Sequence, residues 1–330
     1  MPGLFGVEKV VAIYVVFTLV LTAIFFSDMM ENGFLVSVVG GRVVIAIITA
    51  LLIMLYKRYP CHATYQLRIV FQIALLSYWY PDIYHFSSFM PSVDHWLAAA
   101  DQAICGCQPA LAFRETFSGV VWNELFNLGY FSYFPMIAAL VILVIVKRPR
   151  RFDRVTFILM CSFFMFYLVF VFVNAAGPQF YYYSPGVDAA NAVFPDAGNY
   201  FLSHHELRPM EVQGPFSWLI KVLHGSEEPI AAFPSSHVGV STIVILLAAR
   251  LKKVWALVML PFYVLLVCST VYIQAHYFVD VLGGFVAAIV FMFISNKLYT
   301  THLFHRPKGF DDLHRFGHHH KHHHHRHHHH

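Results

Sequence analysis

Charge is the scarcest property of this 330-residue chain. Asp, Glu, Lys and Arg make up 12% of it against 58% hydrophobic residues, and its mean hydropathy is +0.60. An ordinary soluble globule carries charge on roughly a quarter of its residues, so that class is excluded. Glycine (18) and proline (16) are modest while aromatic residues reach 17%, which excludes a collagen-like or disordered chain. The five cysteines, Cys61, Cys105, Cys107, Cys161 and Cys268, are too few for a disulfide framework, and Cys105-Gly106-Cys107 is too tight for an easy mutual bridge. No internal repeat is visible, and no polar stretch is long enough to bury a core of its own. What remains is an all-α, polytopic membrane helix bundle, for which 33 Phe and 18 Tyr supply lipid-facing and interfacial side chains.

A bilayer core takes about 20 apolar residues per helix. Apolar runs at 10–27, 35–56, 67–80, 125–146, 155–176, 237–250, 254–272 and 276–295 predict about eight spans, within a range of six to eight because the third and sixth are short for a full crossing. They form one membrane-embedded domain over 1–300, followed by a basic, His-rich tail over 301–330. Eleven of the 22 histidines lie in 318–330. That run binds zinc or nickel by composition alone, reads more simply as a solvated or tag-like tail, and is set aside from the fold.

Basic residues orient such a bundle, because cytoplasmic loops are rich in Lys and Arg. With eight spans and the N-terminus inside, 18 of the 22 Lys and Arg fall on the inner side, leaving Arg42, Arg114, Arg208 and Lys221 outside. Both termini are then cytoplasmic. Two long segments are external. Residues 81–124 carry Asp82, Asp94, Asp101, Glu115 and Glu124, with the amphipathic stretch HWLAAADQAI expected to lie on the bilayer surface. Residues 177–236 are polar and aromatic and suit a lid or substrate-binding segment.

Ionisable residues near a membrane helix are costly and therefore candidates for function. His237 closes the segment FPSSH at the start of the sixth span, and His276 and Asp280 lie in QAHYFVDVLGG at the start of the eighth. The i, i+4 spacing puts His276 and Asp280 on one helix face. Asp280 can then accept from one ring nitrogen and leave the other as nucleophile or base. The Lys and Arg count alone brings all three residues to one side of the membrane at similar depth; satisfied interfacial histidines are the simpler alternative. FPSSH also offers free backbone N–H groups and the Ser235 and Ser236 hydroxyls to a phosphate, or else a plain helix cap.

The pair FPSSH and HYFVD, separated by a membrane hairpin, resembles the second and third signatures of the type 2 phosphatidic acid phosphatase superfamily. More narrowly, it resembles the branch of inositol phosphorylceramide synthases and related inositolphosphotransferases. The third signature of that superfamily is Ser-Arg, five residues, His, three residues, Asp. Here Ser269-Thr270, His276 and Asp280 keep the spacing with Thr270 in place of Arg, and Ser236 replaces the usual Gly of the second signature. The resemblance covers roughly 120–295 and includes ELFNLGYFSYFP at 124–135. The first signature, Lys, six residues, Arg-Pro, is not present as such. GPQFYYY at 177–183 stands where it would begin, with Gln179 where a cation is expected, and Arg208-Pro209 keeps the Arg-Pro fragment with Phe201 in the Lys position. Arg208, Lys221, Arg114 and Arg42 remain alternatives for the phosphate clamp.

The resemblance implies a six-helix catalytic core in which His276 attacks phosphorus to form a phosphohistidine. Asp280 would fix the tautomer of His276, and His237 would serve as general acid and then general base. Phosphate oxygens would be held near Ser235, Ser236, Gln179, Thr270 and Arg208. No metal and no other cofactor is implied, and an isolated Asp311-Asp312 does not suggest the metal-dependent alcohol phosphotransferases. The expected partners are membrane lipids as donor and acceptor, with no nucleic acid and no obligate protein partner. The expected activity is transfer of a phosphoalcohol head group, such as phosphoinositol, between lipids on the outer face. The alternative is a lipid phosphate or pyrophosphate phosphatase with the same residues. A non-catalytic transporter, with the histidines as a proton relay, is the remote reading, since neither half shows inverted symmetry.

Overall fold

The computed structural model describes residues 3–305; the His-rich run and Asp311-Asp312 lie outside the described residues. Among the described residues the secondary structure is helical, with no named strand. Six helices are long and apolar enough to cross a bilayer: Gly6–Ile24, Leu35–Arg58, Val120–Lys147, Pro149–Phe172, Lys253–Tyr272 and Phe278–Tyr299. Ser236–Leu251 is a shorter apolar helix. The protein is a multi-pass membrane helix bundle.

About eight spans, within a range of six to eight, were expected, and the six long helices stand at its lower end for a local reason. The run at 67–80 is not one helix: His62–Ala74 ends at Leu75, and Leu76–Asp82 starts anew with Pro81 inside it. A hydropathy window averages over such a break. The run at 237–250 forms an apolar helix of 16 residues, short of the about 20 that a bilayer core takes.

The chain divides into two units, Met1–Trp79 with Lys297–His330, and Tyr80–Asn296. The first contains α1 (Gly6–Ile24), α2 (Leu35–Arg58) and α3 (His62–Ala74). Its charges are used internally. Arg68 of α3, buried to 1%, pairs with Glu8 of α1, donates to Gly3 O at 2.9 Å and lies over the Phe5 ring at 4.2 Å. Arg42 of α2 donates to Thr18 Oγ1 at 3.1 Å and Val38 O at 3.0 Å and lies over Trp79. A guanidinium among apolar helices needs such partners, because desolvating it alone is costly. These two arginines, counted above as loop charges, are buried structural cations.

The second unit contains α4 (Asp94–Cys105), α5 (Val120–Phe131), α6 (Tyr133–Lys147), α7 (Phe152–Phe172), α8 (Pro215–His224), α9 (Ser236–Leu251), α10 (Lys253–Tyr272) and α11 (Phe278–Tyr299). The α5 and α6 helices make one span that bends at Ser132, whose hydroxyl donates back to Gly129 O at 2.6 Å. The α7 span is the most interior, with 78% of its apolar window buried against 17–44% in the others. The α9 helix packs on it through Gly239, where an added Cβ would stand 2.2 Å from the Phe166 ring. Gly284 of α11 likewise admits the Ser235 carbonyl, at 2.6 Å from an added Cβ. Small residues thus bring the N-terminal ends of α9 and α11 together, and Ser235 N donates to Asp280 O at 3.0 Å. Those two ends carry the candidate chemistry.

Candidate active site

His276 lies in the turn between the α10 and α11 spans, buried to 4%. Its Nδ1 donates to Ala232 O at 2.7 Å, and Asp280 Oδ2 stands 3.4 Å from the same nitrogen. A carbonyl only accepts, so the proton sits on Nδ1 and the Nε2 lone pair is free. The carbonyl, more than Asp280, fixes the tautomer. Asp280 Oδ2 accepts Tyr277 N at 2.8 Å, while its Oδ1 is buried without a partner. Burial pushes the His276 imidazole down to about 4, with the Ala232 bond and Glu227 opposing that shift. The ring therefore stays neutral at ordinary pH.

The backbone around this hydrogen bond is strained. Ala231, next to Ala232, has φ +64, and Gln274, two residues before His276, has φ +66. Left-handed non-glycine residues each cost about 1–2 kcal/mol, so the surrounding contacts must impose them. Ala275 N and His276 N both donate to Thr270 O at 3.1 Å. Thr270 Oγ1 donates to Val267 O of its own helix at 2.7 Å, so Thr270 supports the turn through its carbonyl.

Two carboxylates of α4 hold the other side of the turn. Asp94, fully buried, accepts Tyr277 Oη at 2.7 Å, Ala176 N at 2.8 Å, Gly177 N at 2.9 Å and Ser92 Oγ at 3.3 Å. Asp101, one heptad later, accepts Phe278 N at 2.8 Å and Val279 N at 2.9 Å. It caps the free N–H groups at the start of α11. Burial pushes both carboxyls up, and their hydrogen bonds work against that rise. The sequence reading of HWLAAADQAI as amphipathic holds, with Trp96 66% exposed, but its polar face points at the His276 turn. These two residues had been noted only as external acids.

His237 faces this turn from α9. Its ring centroid is 5.9 Å from that of His276, and it packs against Tyr130 at 4.7 Å and Tyr133 at 4.3 Å. The stretch ELFNLGYFSYFP thus supplies the wall behind it. His237 Nε2 is buried and has no partner. Ser235 is the N-cap of α9, its Oγ accepting from Val238 N at 3.2 Å. Ser236 is buried beside it, and the Ser236 and His237 N–H groups meet no acceptor among the described residues. A free histidine nitrogen, a neutral nucleophilic nitrogen and two unpaired N–H groups converge, an arrangement suited to an oxyanion undergoing attack at its central atom.

The cationic clamp is the part with no motif. Gln179 N donates to Gln274 O at 2.8 Å, and Gln179 O accepts Arg208 N at 3.2 Å, so the two fragments of the expected first signature do meet beside the His276 turn. Arg208 is 8% exposed and donates to Ile273 O at 2.9 Å. Burial and the Arg114 charge push it down to about 10, still cationic at neutral pH. Arg114 pairs with Glu211 at 3.7 Å and Lys221 is exposed on α8, while Arg42 belongs to the first unit. Gln179 Nε2 donates to Glu227 Oε2 at 3.1 Å, and Glu227 Oε1 accepts His224 Nδ1 at 2.7 Å. Burial pushes the Glu227 carboxyl up, but His224, Gln179 and His276 together bring it below its ordinary value. This third histidine and its carboxylate were missed, because His224 ends a short helix inside the external segment 177–236 and neither it nor Glu227 belongs to a signature. Among the described residues no group of three or more His, Cys, Asp or Glu is arranged to hold a metal ion.

Residues 95–294 match the PAP2 superfamily, and the chain belongs to that family. The match spans α4 to α11 and so includes Asp101, His237, His276 and Asp280. No curated protein and no solved structure matches the chain. Membership defines an enzyme of the phosphatase type, acting by lipid phosphatase or phosphotransferase chemistry.

Proposed function

We propose that the protein is a membrane phosphotransferase that moves a phosphoalcohol head group, phosphoinositol in the first instance, from one lipid to another through a phosphohistidine on His276. The single observation that carries this reading is the His276 ring itself, with Nδ1–H committed to Ala232 O and Nε2 left as a free lone pair opposite His237. Nε2 attacks phosphorus, the bond from phosphorus to the donor's glycerol oxygen breaks, and His237 in its protonated form gives a proton to that oxygen. In the second half His237 takes the proton of the acceptor hydroxyl, whose oxygen attacks phosphorus as the P–N bond breaks. Asp280, 3.4 Å from Nδ1, stabilises the charge that develops on the ring. The N–H groups of Ser236 and His237 receive the equatorial oxygens.

Transfer is favoured over hydrolysis by the burial of the three central residues, His237 at 7%, His276 at 4% and Asp280 at 0%, behind Tyr130 and Tyr133. Aromatic rings packed against His237 limit the access of water to the phosphoenzyme. The scarcity of Lys and Arg at the site favours a singly charged phosphodiester over a phosphomonoester. With the shorter apolar segments at 67–80 and 237–250 counted as crossings, the bias of basic residues supports cytoplasmic termini and a site on the opposite face. The test is incubation of the purified protein with labelled phosphatidylinositol, with and without ceramide. A new labelled sphingolipid supports transfer, water-soluble inositol phosphate supports hydrolysis by the same residues, and no product rejects phosphatidylinositol as the donor.

A further inference from the structure

The clamp question has an answer that uses no Lys or Arg. His224 ends α8 and is 7% exposed. Its Nδ1–H is held by Glu227 Oε1 at 2.7 Å, and its Nε2 is buried with no partner. A buried polar atom without a partner is an exception in a folded protein and calls for a ligand or a function. The His224 ring packs on Tyr130 at 4.9 Å, and Tyr130 is also the ring that stacks on His237 at 4.7 Å. His224 is near enough to His237, and Glu227 near enough to His276, for each pair to interact through charge. Tyr130 thus contacts both His224 and His237, and His276 lies 5.9 Å from His237.

The position of His224 is built deliberately into the fold. Glu124 of α5 caps α8, accepting Phe216 N at 2.8 Å and the Ser217 hydroxyl. Gly214 admits that carboxylate, since a Cβ there would stand 2.7 Å from it. At the other end Glu227 is braced by Gln179. Its two oxygens thus face a histidine and an amide, a surrounding that stabilises an anion and, through it, a charged imidazole.

We propose that His224, held as an imidazolium by Glu227, is the cation that binds the phosphate of the lipid substrate through Nε2–H, in the place where the first signature would supply Lys. Gln179, at the position of the missing cation, orients the carboxylate that charges His224. This assignment rests on the phosphohistidine reading above but concerns binding, not covalent chemistry.

The experiment measures inhibition by inorganic phosphate, together with substrate KM and kcat, in the full-length enzyme and in His224→Gln, His224→Lys and Glu227→Gln. Loss of a charged hydrogen bond to phosphate is expected to raise the inhibition constant and KM about ten- to a hundredfold in His224→Gln, with a smaller change in kcat. His224→Lys, which keeps a cation, is expected to recover most of the phosphate affinity. Glu227→Gln is isosteric and is expected to weaken phosphate binding in the same direction, which covers the case of an unfolded His224 variant. Unchanged inhibition in His224→Gln or in Glu227→Gln overturns the assignment, as does equal loss in folded His224→Gln and His224→Lys. If the unmodified enzyme forms no phosphoenzyme on His276, the functional reading fails instead, independently of these constants.

Discussion

Asp94 and Tyr277 are 183 positions apart in sequence, yet the phenol donates to Asp94 Oδ1 at 2.7 Å in a site closed to solvent. The same carboxylate holds the N–H groups of Ala176 and Gly177, so a single side chain joins the segment after α7 to the residue beside His276. Asp94→Asn retains the shape but replaces a charged acceptor by a neutral one and turns an NH2 toward one of these donors. It is expected to destabilise the fold by about 2–3 kcal/mol, visible as a lower melting temperature in detergent, and to reduce kcat. Tyr277→Phe removes one of the bonds and is expected to cost about 1 kcal/mol.

Gly177 shows a second constraint on the same turn. It has φ +96, and an added Cβ would stand 2.8 Å from Ala275 O. Gly177→Ala combines backbone strain with displacement of the residue preceding His276. A loss of about 2 kcal/mol or more in stability is expected, with a fall in kcat larger than any change in KM, measured by thermal unfolding and steady-state assay.

The pH dependence follows from the depressed His276 value of about 4, compared with 6.5 for the free side chain. As pH falls from about 6.5 towards 4 the unfolded chain binds a proton that the folded chain refuses, so this group's contribution to stability is lost across that window. Nε2 remains nucleophilic throughout it. Single-turnover phosphoenzyme formation is therefore expected to keep its rate down to about pH 5 and to decline near 4; an acid limb centred near 6.5 contradicts the burial argument.

The residues proposed for the chemistry were legible in the sequence because their spacing is local. His276 and Asp280 are four residues apart, FPSSH is contiguous with a helix start, and both motifs keep their meaning without knowledge of distant contacts. The supports were not legible. Asp101 meets Phe278 177 positions away, and Glu124 reaches Phe216 across 92, and such pairings leave no period in the sequence. His224 and Glu227 are three apart and could have been paired by spacing, but nothing in their segment indicated a buried turn. The six long helices stand at the lower end of the expected six to eight, because hydropathy hides geometry at the break after Ala74. Arg68 and Arg42 show the converse, basic residues that read as loop charges and prove to be interior partners of Glu8, Thr18 and Val38.

Arg208 tests whether the remaining buried cation belongs to the turn or to the substrate. Its guanidinium is spent on Ile273 O at 2.9 Å, so Arg208→Lys, which retains charge but not that reach, is expected to lower thermal stability and kcat while leaving phosphate inhibition within about threefold. A large loss of phosphate affinity with unchanged stability would assign Arg208 to the clamp instead of His224.

The central claim is that a bond forms between His276 Nε2 and phosphorus. The most direct measurement is to mix the purified protein with phosphate-labelled phosphatidylinositol, quench under alkaline conditions and map the adduct by mass spectrometry of peptides. The account predicts a labelled phosphoinositol group on His276, absent from His276→Ala, whose turnover falls by a factor on the order of a thousand or more. Label on another residue, or undiminished turnover in folded His276→Ala, would contradict it.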